Sequence, residues 1–321
     1  MMAAMPSPRP LGSRLVATGH YQSGRVVTND DLAQRIDTSD EWIRRRVGIK
    51  SRWVAEESLV DLAAGAGRMA LEHGSVDAST IDLVIVATCT ALDRIPNTAA
   101  EVAARLELTG SPAVMDVNVA CSGFTHALAL ADHAIKAGSA RRALVVGAER
   151  MTDFTDWDDR STAVLLGDGA GAAVLEASES EDIGPVVWGS QPEMADAVRI
   201  RHTDDTFAQE GQSVFRWTTT TMPAVARQIC ERTGIEPSDL DAVVLHQANL
   251  RIILPIARSL GLREDAVVAT DVEESGNTSA ASVPLALSKL VHAGSVPSGG
   301  RALLLGFGGG LAWAGQVVRL P

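Results

Sequence analysis

The chain repeats itself at a spacing of 159 residues. Ser79 to Thr88, STIDLVIVAT, stands against Ser238 to Gln247, SDLDAVVLHQ, and Arg142 to Gly147, RALVVG, stands against Arg301 to Gly306, RALLLG, at that same offset. Self-similarity at a fixed long spacing marks a duplicated structural unit. Each repeated piece is a continuous apolar run, the pattern of a strand buried on both faces, and such runs alternate with amphipathic stretches such as Leu59 to His73. That grammar specifies an α/β protein whose largely parallel sheets are covered by helices on both sides. Between the paired strands, the helix after Cys121 corresponds to the helix after Asn277, with the offset slipping by a few residues. Two halves on one plan are expected, the end of one facing the end of the other.

Length and charge narrow the class. At 321 residues the chain can bury one large core or two ordinary ones. The net charge of −12 argues against a general nucleic-acid binder, and an acidic partner needs a local basic patch. Three cysteines without regular spacing fit neither a disulfide framework nor a zinc ribbon, so no metal site is expected. The N-terminal MMAAMPSPRP lacks the layout of a signal peptide, and no apolar run approaches the roughly 18 residues of a membrane span. A cytoplasmic protein with no membrane association is expected, its residues 1–14 a disordered tail.

Along the chain, Leu15 to Thr18 reads as a strand and Thr28 to Ile36 as a capped helix. Thr38 or Ser39 caps a second helix that ends in Arg44, Arg45 and Arg46 before Gly48, cations where the helix dipole favours them. The acidic ASESEDIG stretch reads as a linker dividing the halves at 177/178. Ser190 to Gln212 is polar with weak periodicity and is expected to be a mobile loop. From Val214 to Thr233 a helix carries Phe215, Ala224, Ile229 and Cys230 inward.

The chemistry gathers at three places. Ala113 to Val119 reads as an interior strand and Ser122 to Ala137 as a helix, which sets Cys121 at a helix start, where unpaired amides and the dipole favour thiolate. A small buried core residue is the competing reading of that cysteine, and packing is the reading of Cys89 and Cys230. His246 ends the buried strand DAVVLHQAN, and Asn277 lies in the turn ESGNTSAAS, positions at strand ends where α/β folds build sites. Of the seven histidines, only His246 ends such a strand; His20, His73, His133, His202 and His292 read as surface or loop residues and His126 as near the core. Gly306 to Gly310, GFGGG, follows a strand and frees backbone amides to point at a ligand, while Gly167 to Val174, GDGAGAAV, reads as a tight turn between core strands.

DTSDEWIRRRVGI, VACSGF, DRSTAVLLGDGAGA, HQANLRI, GNTSAAS and GFGGG, in this order, closely resemble the β-ketoacyl-ACP synthases of type III in the thiolase superfamily, over nearly the whole chain from about Leu15. The resemblance implies a thiolase-like fold in α-β-α-β-α layers, with a nucleophile half (15–177) and a His/Asn half (178–321), and a cytoplasmic homodimer. It implies a Cys121–His246–Asn277 triad, an oxyanion hole from the amides of Cys121 and Gly309, and Phe307 as a gate excluding water. Cys121 takes an acyl group from a starter acyl-CoA, and the acyl-enzyme condenses with malonyl-ACP as CO₂ leaves. No cofactor is held permanently. Trp42 and Arg160 match the pair that sandwiches adenine; Thr38, Arg46 and Asn249 match further CoA positions. Arg216 and Arg251 match positions that meet the acyl carrier protein.

Departures from the family pattern qualify this. Val47 stands where many relatives have Thr or Ser. Leu166 replaces a frequent phenylalanine at the acyl pocket, and Ile95 occupies the position where the neighbouring subunit limits primer length; both imply room for branched or longer starters. A ketosynthase priming a polyketide pathway shares the chemistry, and a Cys-His-Asn thioester hydrolase is the alternative of another class. A silent partner subunit is a third, against which the intact triad speaks. Elongating ketosynthases, HMG-CoA synthases and chalcone synthases differ at Asn277 or GFGGG.

Overall fold

The computed structural model describes residues 11–201, 203 and 205–321; His202 and most of the expected tail lie outside them. In chain order the first half contains β1 (Gly12–Tyr21), β2 (Arg25–Thr28), α1 (Asn29–Ala33), α2 (Asp40–Val47), β3 (Ser51–Val54), α3 (Leu59–His73), β4 (Leu83–Ala87), α4 (Thr98–Arg105), β5 (Ala113–Val117), α5 (Gly123–Lys136), β6 (Arg142–Arg150) and β7 (Asp168–Ser178). The second contains β8 (Val187–Ser190), β9 (Val198–Ile200), β10 (Phe207–Gln209), α6 (Gly211–Thr233), β11 (Ala242–Leu245), α7 (Leu250–Ser259), β12 (Val267–Val268), α8 (Val272–Ser275), α9 (Ser282–His292), β13 (Arg301–Gly308) and β14 (Ala312–Arg319).

The repeat is a repeat of topology. One five-stranded sheet runs β1-β7-β6-β4-β5 and the other β8-β14-β13-β11-β12, read from the edge that is antiparallel in both. Within each, the three strands β6-β4-β5 or β13-β11-β12 are parallel and the remaining pairings antiparallel. The offset of 159 does not slip between them: the 3-10 turns Ala120–Ser122 and Ser279–Ala281 are equivalent, and α5 and α9 follow them at Gly123 and Ser282. Ala120 and Ser279, 159 apart, share the left-handed backbone with φ of 43° and 47°. The position equivalent to Cys121 is therefore Ala280, and Asn277 lies upstream of the duplicated turn.

Layering explains why the strands are apolar throughout. Leu83, Ile85 and Ala87 of β4 join α5 and α9 in a central core with Ala242, Val244, Ala302 and Leu304 of the other sheet. Val84 and Val86 face the opposite way, onto α3 and α4. Val243, Leu245, Leu303 and Leu305 pack with α6 and α7. The order is thus helix, sheet, helix, sheet, helix, and every central strand residue meets apolar partners on its own side.

Several expectations are corrected. β5 is an edge strand, not an interior one: Ala113, Met115 and Asp116 are exposed, and the Asp116 carboxylate accepts the amides of Thr98 and Ala99 at 2.8 Å to cap α4. β1 begins at Gly12, inside the expected tail, and α1 stops at Ala33, capped by Thr28. Ser39 caps α2 by accepting the Trp42 amide. Ala224 is exposed, because α6 turns that face to solvent. His20 lies on β1, half-buried with Nδ1 3.0 Å from Ser288 Oγ. The described residues of the 190–212 stretch include the 3-10 turn Pro192–Ala197 and the paired strands β9 and β10.

GDGAGAAV is no turn but the start of β7, and its glycines serve helix packing. A Cβ on Gly171 would fall 2.3 Å from the Leu285 amide nitrogen and 2.5 Å from the Pro284 carbonyl carbon, both backbone of α9. Gly171→Ala should therefore destabilise the fold by about 2–3 kcal/mol in urea unfolding, the scale of an overpacked core. Gly211→Ala, with nothing within 4 Å of its Cβ, should stay within about 0.5 kcal/mol of the parent.

Candidate active site

Cys121 sits half-buried in the 3-10 turn between β5 and α5. Strand β13 passes so close that a Cβ on Gly308 would lie 2.7 Å from the cysteine Cβ and 2.8 Å from its sulfur. The Gly309 amide, next along the chain, and the Ser279 hydroxyl from the second half share the cavity wall with the Cys121 sulfur and favour its anion. Glycine is required at 308 because any side chain would occupy the sulfur's place. A cavity of about 400 Å³ opens here, with Cys121, Ser279, Gly309, Met151 and Phe207 among its walls.

The other two predicted groups belong to the second half. His246 follows β11 and is buried, its ring edge-on to Phe307 at 5.5 Å between centroids; Phe307 is the neighbour of Gly308 on β13. Asn277 is held between the segments by its backbone, its amide donating to Leu165 O at 2.8 Å and its carbonyl accepting from Gly167 at 3.1 Å. Its side-chain Oδ1 accepts the Ser279 amide at 2.9 Å, so its two remaining donors, on Nδ2, are available to a ligand. The same Ser279 touches Cys121. Asn277 thus lies against Ser279, which shares the cavity wall with Cys121 and Gly309, and His246 lies against Phe307, one residue before Gly308; His246, Asn277 and Phe307 are not themselves among the residues that line the cavity.

Electrostatics at the sulfur differ from the sequence expectation. Burial pushes the Cys121 thiol above its ordinary value, and the nearby Glu149 carboxylate pushes the same way; the Ser279 and Gly309 hydrogen bonds only partly oppose this. The resting group is a thiol, since desolvation of the anion outweighs two donors. His246 is pushed down to about 3 by burial alone, which keeps its imidazole neutral.

Sequence reasoning missed the residues that brace the site. Glu149, fully buried at the end of β6, accepts from the Cys89 amide and thiol, the Thr88 and Thr90 hydroxyls and the Ala280 amide, tying β4 to the turn before α9. Cys89 is more than packing: it lines the same cavity, with its sulfur 3.6 Å from Ser279 Oγ. Cys230 does lie in the core. Arg52, fully buried, donates to Val27 O, Asn29 Oδ1 and Val164 O and packs against Gly167 and Gly276, supporting the Asn277 segment. An arginine inside the four-residue strand β3 gave no signal of this. The β9–β10 hairpin adds Val198 and Ile200 to the cavity wall.

Other predicted positions are arranged differently. Arg160 stacks directly on Trp42, its Cζ 4.2 Å from the ring centroid, while Nη1 donates to Asp37 O at 2.9 Å. A planar base between them needs about 7 Å, two van der Waals contacts, so this slot is shut and Arg160 must swing out to admit one. Thr38 Oγ1 is buried without a partner among the described residues. Asn249 caps α7 by accepting the Ile252 amide at 3.2 Å. Arg46, Arg216 and Arg251 are exposed, Arg251 lying over Phe215. Leu166 is sealed in the core beside Asn277 and Ile95 stands on an exposed loop; neither lines the cavity. Among the described residues no His, Cys, Asp and Glu cluster could hold a metal, and no helix is long and apolar enough to cross a membrane.

Residues 115–192 match the family model for 3-oxoacyl-[acyl-carrier-protein (ACP)] synthase III, and residues 230–320 match the model for the C terminal part of that synthase. The chain belongs to this family. It is 62% identical over 315 residues to β-ketoacyl-[acyl-carrier-protein] synthase III 4 of Streptomyces coelicolor, covering 97% of this chain and 99% of the relative. A priming β-ketosynthase from a polyketide biosynthetic pathway superposes with a TM-score of 0.95 at 41% identity, covering 99% of both chains. The synthase III of Aquifex aeolicus gives 0.91 at 38% identity, over 96% of this chain and 100% of that one. The fold is thiolase-like.

A buried thiol in this synthase fold has a measurable signature. Alkylation of Cys121 by iodoacetamide should accelerate as pH rises through the ordinary thiol range and beyond, because thiolate accumulates only as pH climbs through a raised folded-state value. A rate already on its plateau at about pH 7, followed by intact-protein mass, would contradict that ordering.

Proposed function

We propose that this synthase condenses a starter acyl-CoA with malonyl-ACP through an acyl-cysteine. The observation that carries the reading is the meeting of Cys121 with the Gly309 amide while His246 and Asn277 each have one polar atom already engaged and the other left to donate. In the first half-reaction the Cys121 sulfur, on losing its proton, attacks the thioester carbonyl. The tetrahedral oxyanion is held by the amides of Cys121 and Gly309, at roughly 3 kcal/mol per donor, and CoA leaves as its thiol. In the second, malonyl-ACP loses CO₂. The electron pair of the broken C–C bond becomes an enolate, its oxygen held by donors from His246 and Asn277, and its carbon displaces the Cys121 sulfur from the acyl group. Neutral donors suit this step, and a histidine kept neutral by burial supplies one at every pH near neutrality.

The acyl chain would occupy the cavity walled by Met151, Phe207, Val198 and Ile200, whose volume of about 400 Å³ accommodates branched starters. CoA would enter by separating Arg160 from Trp42, with Arg46, Asn249 and Thr38 beside its path, and an acidic carrier protein would meet Arg216 and Arg251. A homodimer is supported by the unpaired edge β5 with exposed Met115, and by Leu130 and Trp188, which stand 37% and 45% exposed. The likeness to a priming β-ketosynthase supports the second reading, a starter enzyme of a polyketide pathway, and acceptance of a polyketide rather than a fatty-acid carrier protein distinguishes the two.

Incubation with a panel of acyl-CoAs, then malonyl-ACP, tests the scheme by mass and CO₂ release. Cys121→Ala should abolish acylation. His246→Ala or Asn277→Ala should acylate within about threefold of the parent yet lose CO₂ release by roughly 100-fold or more. Loss of acylation in a folded Asn277 variant, or thioester hydrolysis independent of malonyl-ACP, would contradict the scheme. Isobutyryl-CoA should acylate Cys121 at least as fast as acetyl-CoA, and a strong acetyl preference would count against the roomy cavity.

A further inference from the structure

Ser282 opens α9 and is fully buried, and its Oγ lies 2.8 Å from Nδ1 of His246. The same oxygen accepts the backbone amide of Gln247 at 3.3 Å. A serine hydroxyl owns one hydrogen, and among the described residues the acceptor within hydrogen-bond reach of this one is the ring nitrogen. Other helix hydroxyls here, such as Thr125 and Thr218, instead donate back to a carbonyl of their own helix. The Gln247 amide therefore points the oxygen's lone pair at itself and leaves the O–H for Nδ1. A neutral imidazole carries a single N–H, and a ring that accepts at Nδ1 must carry its hydrogen on Nε2.

We infer that Ser282 is a positioning residue that fixes His246 as the Nε2–H tautomer and holds the ring so that this hydrogen faces the substrate. The inference rests on the condensing reading for its consequence, because only there does His246 act as a donor. It parallels the treatment of Asn277, whose Oδ1 is occupied by the Ser279 amide so that Nδ2 is left to donate. Both donors of the second half-reaction are thus oriented from residues of one turn, 279–282, which is the duplicated counterpart of the turn that carries Cys121. No proton is transferred through Ser282, and its hydroxyl stays intact through the cycle.

The test combines ¹⁵N NMR of histidine-labelled protein with the two half-reactions. The His246 signals are identified by their absence in His246→Gln. In the parent, Nε2 should be protonated and Nδ1 bare and hydrogen-bonded from about pH 5 to pH 8. Ser282→Ala should lose the hydrogen-bonded Nδ1 signature and release CO₂ from malonyl-ACP about tenfold more slowly, while Cys121 acylation stays within about twofold. Ser282→Thr, which keeps the hydroxyl, should recover the signature and most of the CO₂ release. Protonated Nδ1 in the parent overturns the inference without any variant. So does an unchanged spectrum and rate in Ser282→Ala, or an equal fall in both half-reactions. A parent with the expected tautomer but no malonyl-dependent CO₂ release would instead sink the condensing reading and leave the tautomer assignment standing.

Discussion

Two helices, α5 and α9, lie between two sheets, and the glycines of the flanking strands set how near their starts can come to the strand ends. Gly147 lets the turn before α9 approach β6, Gly171 lets the α9 backbone approach β7, and Gly306 and Gly308 let β13 pass the turn of Cys121. At each of these positions an added Cβ would fall within about 2.9 Å of a neighbour that cannot easily move. The approach is what makes a site. Amides at the end of β13 reach a sulfur at the start of α5 only because nothing stands between them.

Duplication supplies the approach twice, and function has divided the two copies. Both turns keep a left-handed residue, Ala120 and Ser279, so the backbone geometry is shared. Only the first carries the proposed nucleophile, Cys121. In the second the equivalent of Cys121 is Ala280, whose amide donates to Glu149, and the flanking serines orient Asn277 and His246. Burial then decides the charge state of what meets there. It keeps the imidazole neutral and the thiol protonated, and it pushes the Glu149 carboxyl up as well, against the opposing hydrogen bonds from Thr90, Cys89 and Thr88. A site assembled from neutral donors suits an enolate, whose charge appears only during the reaction and is then bound by dipoles already in place.

The layered plan was legible because it is written in periodicity. Runs such as IDLVIVA are apolar on both faces, and a constant offset ties the halves together. The three groups proposed to react were legible because each ends a strand or opens a turn. What escaped has physical reasons. β5 reads as interior because Ala113, Val114 and Met115 are apolar, yet it lies at a sheet edge, and composition does not say which apolar strand has a second neighbour. GDGAGAAV reads as a turn because glycine is ambiguous between freedom and closeness; here it is closeness, to Pro284 and Leu285. Among the described residues of the polar hairpin β9–β10 only Phe207 is deeply buried, so periodicity is silent on it. Ser282 and Glu149 carry no pattern at all, since their importance lies in what touches them across more than 30 and 120 residues.

The acyl cavity illustrates how far one chain goes toward specificity. Leu166, expected on its wall, is instead locked into the core by the bridge its backbone makes with Asn277, so a change there would act first on the triad and only then on the substrate. Ile95, 91% exposed, faces nothing in its own chain. The wall that this chain does supply comes from Met151 beside the buried Asp168 network and from a short two-stranded hairpin, one rigid element and one lightly held. The rigid wall limits the cavity near the sulfur, where an acyl carbonyl must sit in one place. The hairpin can shift with the length of the chain behind it, because three residue pairs of ladder are little to hold it. On the proposed condensing function, tolerance toward branched starters would reside in β9–β10, away from the groups whose positions the reaction cannot relax.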